Sequence, residues 1–217
     1  MHVKKYNLTE QIYENVKNDI YKNKIKQGEK ISINRVAQKY DVSYTPAREA
    51  IKNLIKDGLI IGTANKVHKV INLTKKDLFE ANEIRKICEL YSVKELIRNM
   101  GPKEIKNLND QIVKLKSFQN EKNRSTEDFY FADISFHQNL IESTDNSILI
   151  DIYQKIRHLI NIMIYRINSR EKIADVFFKQ HIDILKMILD RDNKKANELL
   201  EHHIKKSLEY YKENFLQ

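Results

Sequence analysis

Apolar positions recur along almost the whole chain at spacings of three and four, the period of helices with one buried face. Ile12, Val16 and Ile20 form the first stripe, on a helix predicted from Thr9, its cap, to about Lys24. Gly28 breaks the pattern, and Ser32 can cap a short second helix from Ile33 to about Tyr40, with Val36 and Ala37 facing inward. Asp41-Val42 makes a turn with Val42 as its buried plug. A third helix opens at Ser43 or Thr45 and carries Pro46 in its first turn, where a missing N–H costs nothing. Its inner stripe is Ala47, Ala50, Ile51 and Leu54, and Gly58 ends it. Leu59-Ile60-Ile61 and Val67 to Leu73 then read as two short strands around Thr63-Ala64-Asn65-Lys66. Three helices and a hairpin make a winged helix-turn-helix, assigned to residues 1–73.

From residue 74 to 217 the pattern is helical throughout, with predicted spans of 75–99, 102–119, 126–143, 146–168, 170–190 and 192–215. Thr74 caps the first, Gly101-Pro102 and Asp145-Asn146 part neighbouring helices, and residues 119–124 form a polar loop. The expected fold is mainly α, a winged helix-turn-helix followed by an all-helical antiparallel bundle. Only 4 Gly and 2 Pro among 217 residues agree with it.

Composition narrows the setting. No apolar run approaches the roughly 18 residues that span a bilayer, and the first residues lack the apolar core of a signal peptide. The single cysteine, Cys88, leaves no intrachain disulfide. A cytoplasmic protein without membrane contact is expected. Charge is divided unevenly: residues 1–75 carry 15 Lys and Arg against 7 Asp and Glu, whereas residues 76–217 carry 24 against 23. A basic first third joined to a neutral remainder points to a polyanion partner for the first part alone.

That partner fits duplex DNA. A recognition helix enters the major groove by its N-terminal end, and Ser43, Tyr44, Thr45 and Arg48 lie there, away from the Ala/Ile/Leu stripe. Arg35 on the preceding helix and Lys66 and Lys69 on the wing are placed for phosphates.

Three apolar stripes of the helical part are interrupted by polar residues. Asp133 and His137 sit four apart among Phe129, Phe136, Leu140 and Ile141. His181 stands in the middle of Phe177, Phe178, Ile184, Leu185 and Ile188. His203 shares a face with Ala196, Leu199, Leu200 and Ser207, while His202 falls with Glu198, Lys205 and Lys206 on the polar side. A buried ionised carboxylate is costly unless paired or metal-bound. One carboxylate and three imidazoles pointing inward make a candidate divalent-metal site, suited to zinc or nickel.

Two stretches resemble a known family. Ile33 to Ile60, with the core Val42-Ser43-x-Thr45-Pro46-x-Arg48-Glu49-Ala50, resembles the DNA-binding signature of GntR regulators. It departs from them at Tyr44, where Arg is usual, and at Ala64-Asn65-Lys66, where the wing usually carries Arg-Gly. Asp133-Ile-Ser-Phe-His137, Gln180-His181-Ile182 and His203-Ile204, with Asn146, resemble the metal-binding branch of the FadR-type C-terminal domain (FCD). The resemblance implies a small organic acid as effector, ligating the metal through a carboxylate or hydroxyl oxygen. Arg85, on an opening helix that looks like the family's, is the first choice for the effector's cationic partner, followed by Arg157 and Arg166, with Asn161 and Tyr165 as hydrogen-bond donors. No role is assigned to His68 or His158.

The expectation is a homodimeric DNA-binding transcription regulator, by family habit a repressor, acting on a two-fold symmetric operator. Its DNA affinity would answer to the effector at the metal. Two alternatives are a regulator with a metal-free effector pocket and a metal-dependent hydrolase. Against the hydrolase, the sequence has no HExxH, no paired ExxH helices and no evident general base beside the ligands.

Overall fold

The computed structural model describes residues 8–62, 67–120, 125–165 and 171–214. They fall into two compact units. One takes the described residues up to Ala81 together with Gln154 to Tyr165, and the other takes Asn82–Tyr153 and those from 171 onward.

The first unit opens with α1 (Leu8–Tyr21), β1 (Lys30–Ile31), α2 (Ile33–Lys39) and α3 (Tyr44–Lys56). The strands β2 (Ile60–Gly62) and β3 (His68–Val70) follow. Ile12, Val16 and Ile20 of α1 are buried, as are Ala47, Ala50, Ile51 and Leu54 of α3. The small side chains at 47 and 50 let the two helices pack closely. Tyr13 of α1 donates a 2.6 Å hydrogen bond to Asp57 just past the end of α3. Ser32 caps α2, its hydroxyl accepting from the Arg35 N–H at 3.2 Å. Gly58, at φ 77°, turns the chain out of α3, a left-handed conformation that a side chain would strain.

The sheet is antiparallel in the order β1-β3-β2. Lys30 lies opposite Lys69 and Ile60 opposite Val70. The hairpin is as expected from the sequence, but β1 is an addition: two residues are too short to show alternation. Ala37 and Val42, expected inside, are only half-buried. Val36, also expected inside, is buried. The tip of the wing, with Lys66, lies outside the described residues.

The second unit contains most of α4 (Lys75–Asn99), α5 (Pro102–Asn120), α6 (Thr126–Glu142), the start of α7 (Ser147–Ile164), α8 (Glu171–Leu189) and α9 (Asn193–Asn214). Each lies within a few residues of its predicted span. Ser125 and Asp128 form a reciprocal capping box that starts α6. Arg191, between α8 and α9, donates to the carbonyls of Ile97 and Met100 at 3.0 and 2.8 Å and so satisfies the end of α4. Phe136, Phe178, Leu185, Ile188 and Leu200 are among the residues that fill the core. No described helix is long and apolar enough to cross a membrane.

α4 is the unusual helix. Besides apolar residues it buries Asn82, Arg85, Glu89 and Ser92, a polar line at helical spacing.

Candidate metal centre and nucleic-acid interface

α6, α8 and α9 each bring their interrupting polar residues to one point. The ligand atoms of Asp133, His137, His181 and His203 all lie within 4.8 Å of one another, and all four residues are buried. His203 Nε2 is 3.1 Å from His181 Nε2 and 3.2 Å from His137 Nε2. Asp133 Oδ1 is 3.6 Å from His181 Nε2 and 3.8 Å from His137 Nε2. Of the adjacent histidines on α9, His203 is fully buried and His202 is exposed, as helical facing predicted.

The outer nitrogens explain what the inner ones can do. His137 Nδ1 lies 2.9 Å from Glu89 Oε2, and His203 Nδ1 lies 2.8 Å from the side-chain oxygen of Gln180. Both acceptors require the proton on Nδ1, so both Nε2 atoms turn a lone pair inward. Two lone pairs facing across 3.2 Å repel unless a cation lies between them. Nitrogens about 2.1 Å from a shared ion stand about 3.0 Å apart at a right angle and about 3.4 Å at the tetrahedral angle. The 3.1 and 3.2 Å spacings from His203 fall inside that range, and those from Asp133 are longer. His181 Nδ1 is buried without a hydrogen-bond partner. Burial pushes all three imidazoles well below the usual histidine range, helped by the Arg85 charge, so they are neutral as ligands must be.

Sequence reasoning missed two parts of this arrangement. Glu89 is fully buried; its Oε1 accepts from Arg85 Nε at 2.8 Å and from the Tyr153 hydroxyl at 2.6 Å, while Oε2 faces His137. The available signal was the polar line of α4 with its Arg85–Glu89 spacing of four. Gln180 was visible only as the neighbour of His181. Arg85 itself is buried beside the cluster; desolvation works against its charge, but Glu89 and the groups around it override that and raise its pKa.

Arg157, Asn161 and Tyr165 are not gathered there. They belong to the first unit, with the later half of α7. Asn161 hydrogen-bonds Tyr21, and Tyr165 stacks on the Tyr21 ring at 5.6 Å. Tyr21 also hydrogen-bonds Nδ1 of the buried His158, whose pKa is lowered to about 3 by burial and by the nearby Arg157 and Lys17. His158 thus has a structural partner that its sequence position did not reveal. Arg166 lies outside the described residues.

In the first unit Ser43, Tyr44, Thr45 and Arg48 are all exposed at the start of α3. Arg35 and Lys69 are exposed as well. Arg35 pairs with Glu29 at 2.6 Å, and Arg48 with Glu49 at 3.1 Å. Such exposed pairs are weak and exchange readily for phosphates.

The model for bacterial regulatory proteins of the gntR family matches residues 8–65, and the FCD-domain model matches residues 80–206. The chain belongs to the gntR family, in its FCD branch. The HTH-type transcriptional regulator YdhC of Bacillus subtilis is 27% identical over 213 residues, 94% of either chain. The gluconate operon transcriptional repressor of Bacillus subtilis is 27% identical over 154 residues, 70% of this chain and 62% of its own. The fold is shared with Escherichia coli McbR/YncC, at a TM-score of 0.79 and 18% identity over 96% of this chain and 99% of that one. This gntR-family chain is a DNA-binding transcription regulator and not an enzyme.

Proposed function

We propose that this regulator is a repressor whose operator affinity is set by a small carboxylate bound at a divalent metal in the FCD domain. Asp133, His137, His181 and His203 would hold the ion, and the donor set suits zinc or nickel. The carrying observation is the inward convergence of neutral imidazole nitrogens whose outer nitrogens are committed to Glu89 and Gln180. Four protein ligands leave positions of a larger coordination sphere for an acid's oxygens, and a bound metal supplies an anchor for them. Arg85 supplies positive charge beside the same point. A groove of about 500 Å³ between α5 and α6 is a poorer place for an acid. Its lining sets Glu104, Asp110, Glu142 and Asp145 against one cation, Lys103, a balance that repels carboxylates.

On the DNA side, Tyr44 and Thr45 would read base edges, with Arg48, Ser43, Arg35, Lys66 and Lys69 on phosphates. A homodimer in the cytoplasm would present two such helices to a two-fold related operator. The effector can shift DNA affinity only as far as it prefers one conformation of the dimer over another.

Elemental analysis of the purified protein tests the metal centre. About one zinc or nickel per chain is expected, lost in both His137→Ala and His181→Ala. A wild-type protein that stays metal-free after incubation with either ion overturns the proposal.

A further inference from the structure

Glu89 has two faces. One oxygen lies 2.9 Å from Nδ1 of His137, a proposed metal ligand, and the other accepts from Tyr153 at 2.6 Å. Tyr153 sits on α7, an unbroken helix from Ser147 to Ile164. Beyond Tyr153 the helix belongs to the unit that contains α1 to α3. There His158 hydrogen-bonds Tyr21, the last residue of α1, and Asn161 bonds the same phenol. α1 in turn packs along the recognition helix α3.

We propose that Glu89 and Tyr153 pass the state of the metal cluster to α7, and that α7 passes it through the His158–Tyr21 bond to α1. The proposal rests on the metal-centre reading above. A cation on Nε2 of an imidazole draws charge from the ring and makes its Nδ1–H a stronger donor. Glu89 is then held harder toward His137 and shared differently with Tyr153. All three side chains are buried, so no solvent competes for the carboxylate and the change is not dissipated in water. Tyr153 and His158 stand five residues apart on one continuous helix, so the two buried hydrogen bonds have a physical carrier between them, which a shared sequence position alone would not give.

α4 also continues from one unit into the other, so the test must separate the two helices. Amide hydrogen exchange is followed in the full-length protein with and without Zn²⁺, for wild type, Tyr153→Phe and Tyr21→Phe. Each variant removes one hydroxyl and keeps the ring. In wild type, Zn²⁺ is expected to slow exchange in α6, α8 and α9 and to change it at least about fivefold in α1. In Tyr153→Phe the response of α6, α8 and α9 stays while that of α1 is lost. In Tyr21→Phe residues 154–164 still respond and α1 does not. An α1 response that survives in Tyr153→Phe, or is missing from a wild type that binds Zn²⁺, overturns the relay and leaves the metal centre standing. A wild type in which α6, α8 and α9 ignore Zn²⁺ overturns the metal centre, and the relay with it.

Discussion

Nε2 of His137 and Nε2 of His203 face each other across 3.2 Å, each on a ring whose other nitrogen is already committed to an acceptor. Neutral imidazoles in that state hold lone pairs toward one another in a buried space. A divalent cation relieves the repulsion, so folding and metal binding should be linked.

Thermal unfolding with added Zn²⁺ or Ni²⁺ measures that linkage. At a metal concentration about 100 times the Kd, a stabilisation of about 2.7 kcal/mol is expected. His203→Ala should abolish the shift and His202→Ala should leave it intact. The reverse result would place the last ligand at 202.

The outer partners should matter nearly as much as the ligands. Glu89→Gln and Gln180→Leu are each expected to weaken Zn²⁺ binding about 10- to 100-fold in a competition titration. Unchanged affinity in both variants would mean that ring orientation is set by packing alone, for instance by Phe136, which stacks on His181 at 3.9 Å.

Arg48 and Tyr44 should separate affinity from preference. Arg48→Ala is expected to weaken binding to duplex DNA and to lower the salt slope by about 1 if the guanidinium meets a phosphate. Tyr44→Arg restores the side chain usual in the GntR signature and should change which duplexes are enriched in a binding selection. Identical selections from both proteins would remove Tyr44 from base reading.

His158 gives a pH dependence with a defined sign. Its folded pKa of about 3 lies below the unfolded value of 6.5, so the unfolded state binds more protons between them. The stability held by neutral, buried His158 is therefore complete above about pH 6.5 and is lost as pH falls toward 3, with a limiting slope of about 1.4 kcal/mol per pH unit. His158→Gln should be less stable than wild type in urea at pH 7, with the gap narrowing as the solution is acidified. A gap that is constant with pH would show that His158 is not the titrating group.

The sequence by itself determined the helices, the hairpin and their order, but not the two-residue β1. Period and caps located the helices within a few residues, because Ser32, Thr74 and Gly58 act on their own immediate backbone. It also determined which side chains interrupt the apolar faces, since the facing of Asp133, His137, His181 and His203 is a property of each helix alone. It could not determine which helices become neighbours. Glu89 is 48 residues from His137 and 64 from Tyr153, and its role exists only because folding brings those groups to one carboxylate. Arg157, Asn161 and Tyr165 show the same limit from the other side. Their helix was found, but whether its later half faced the metal cluster or Tyr21 was decided by packing. Local hydrogen bonds and hydrophobic period are written along the chain; long-range pairing of polar groups is settled only when burial removes their water.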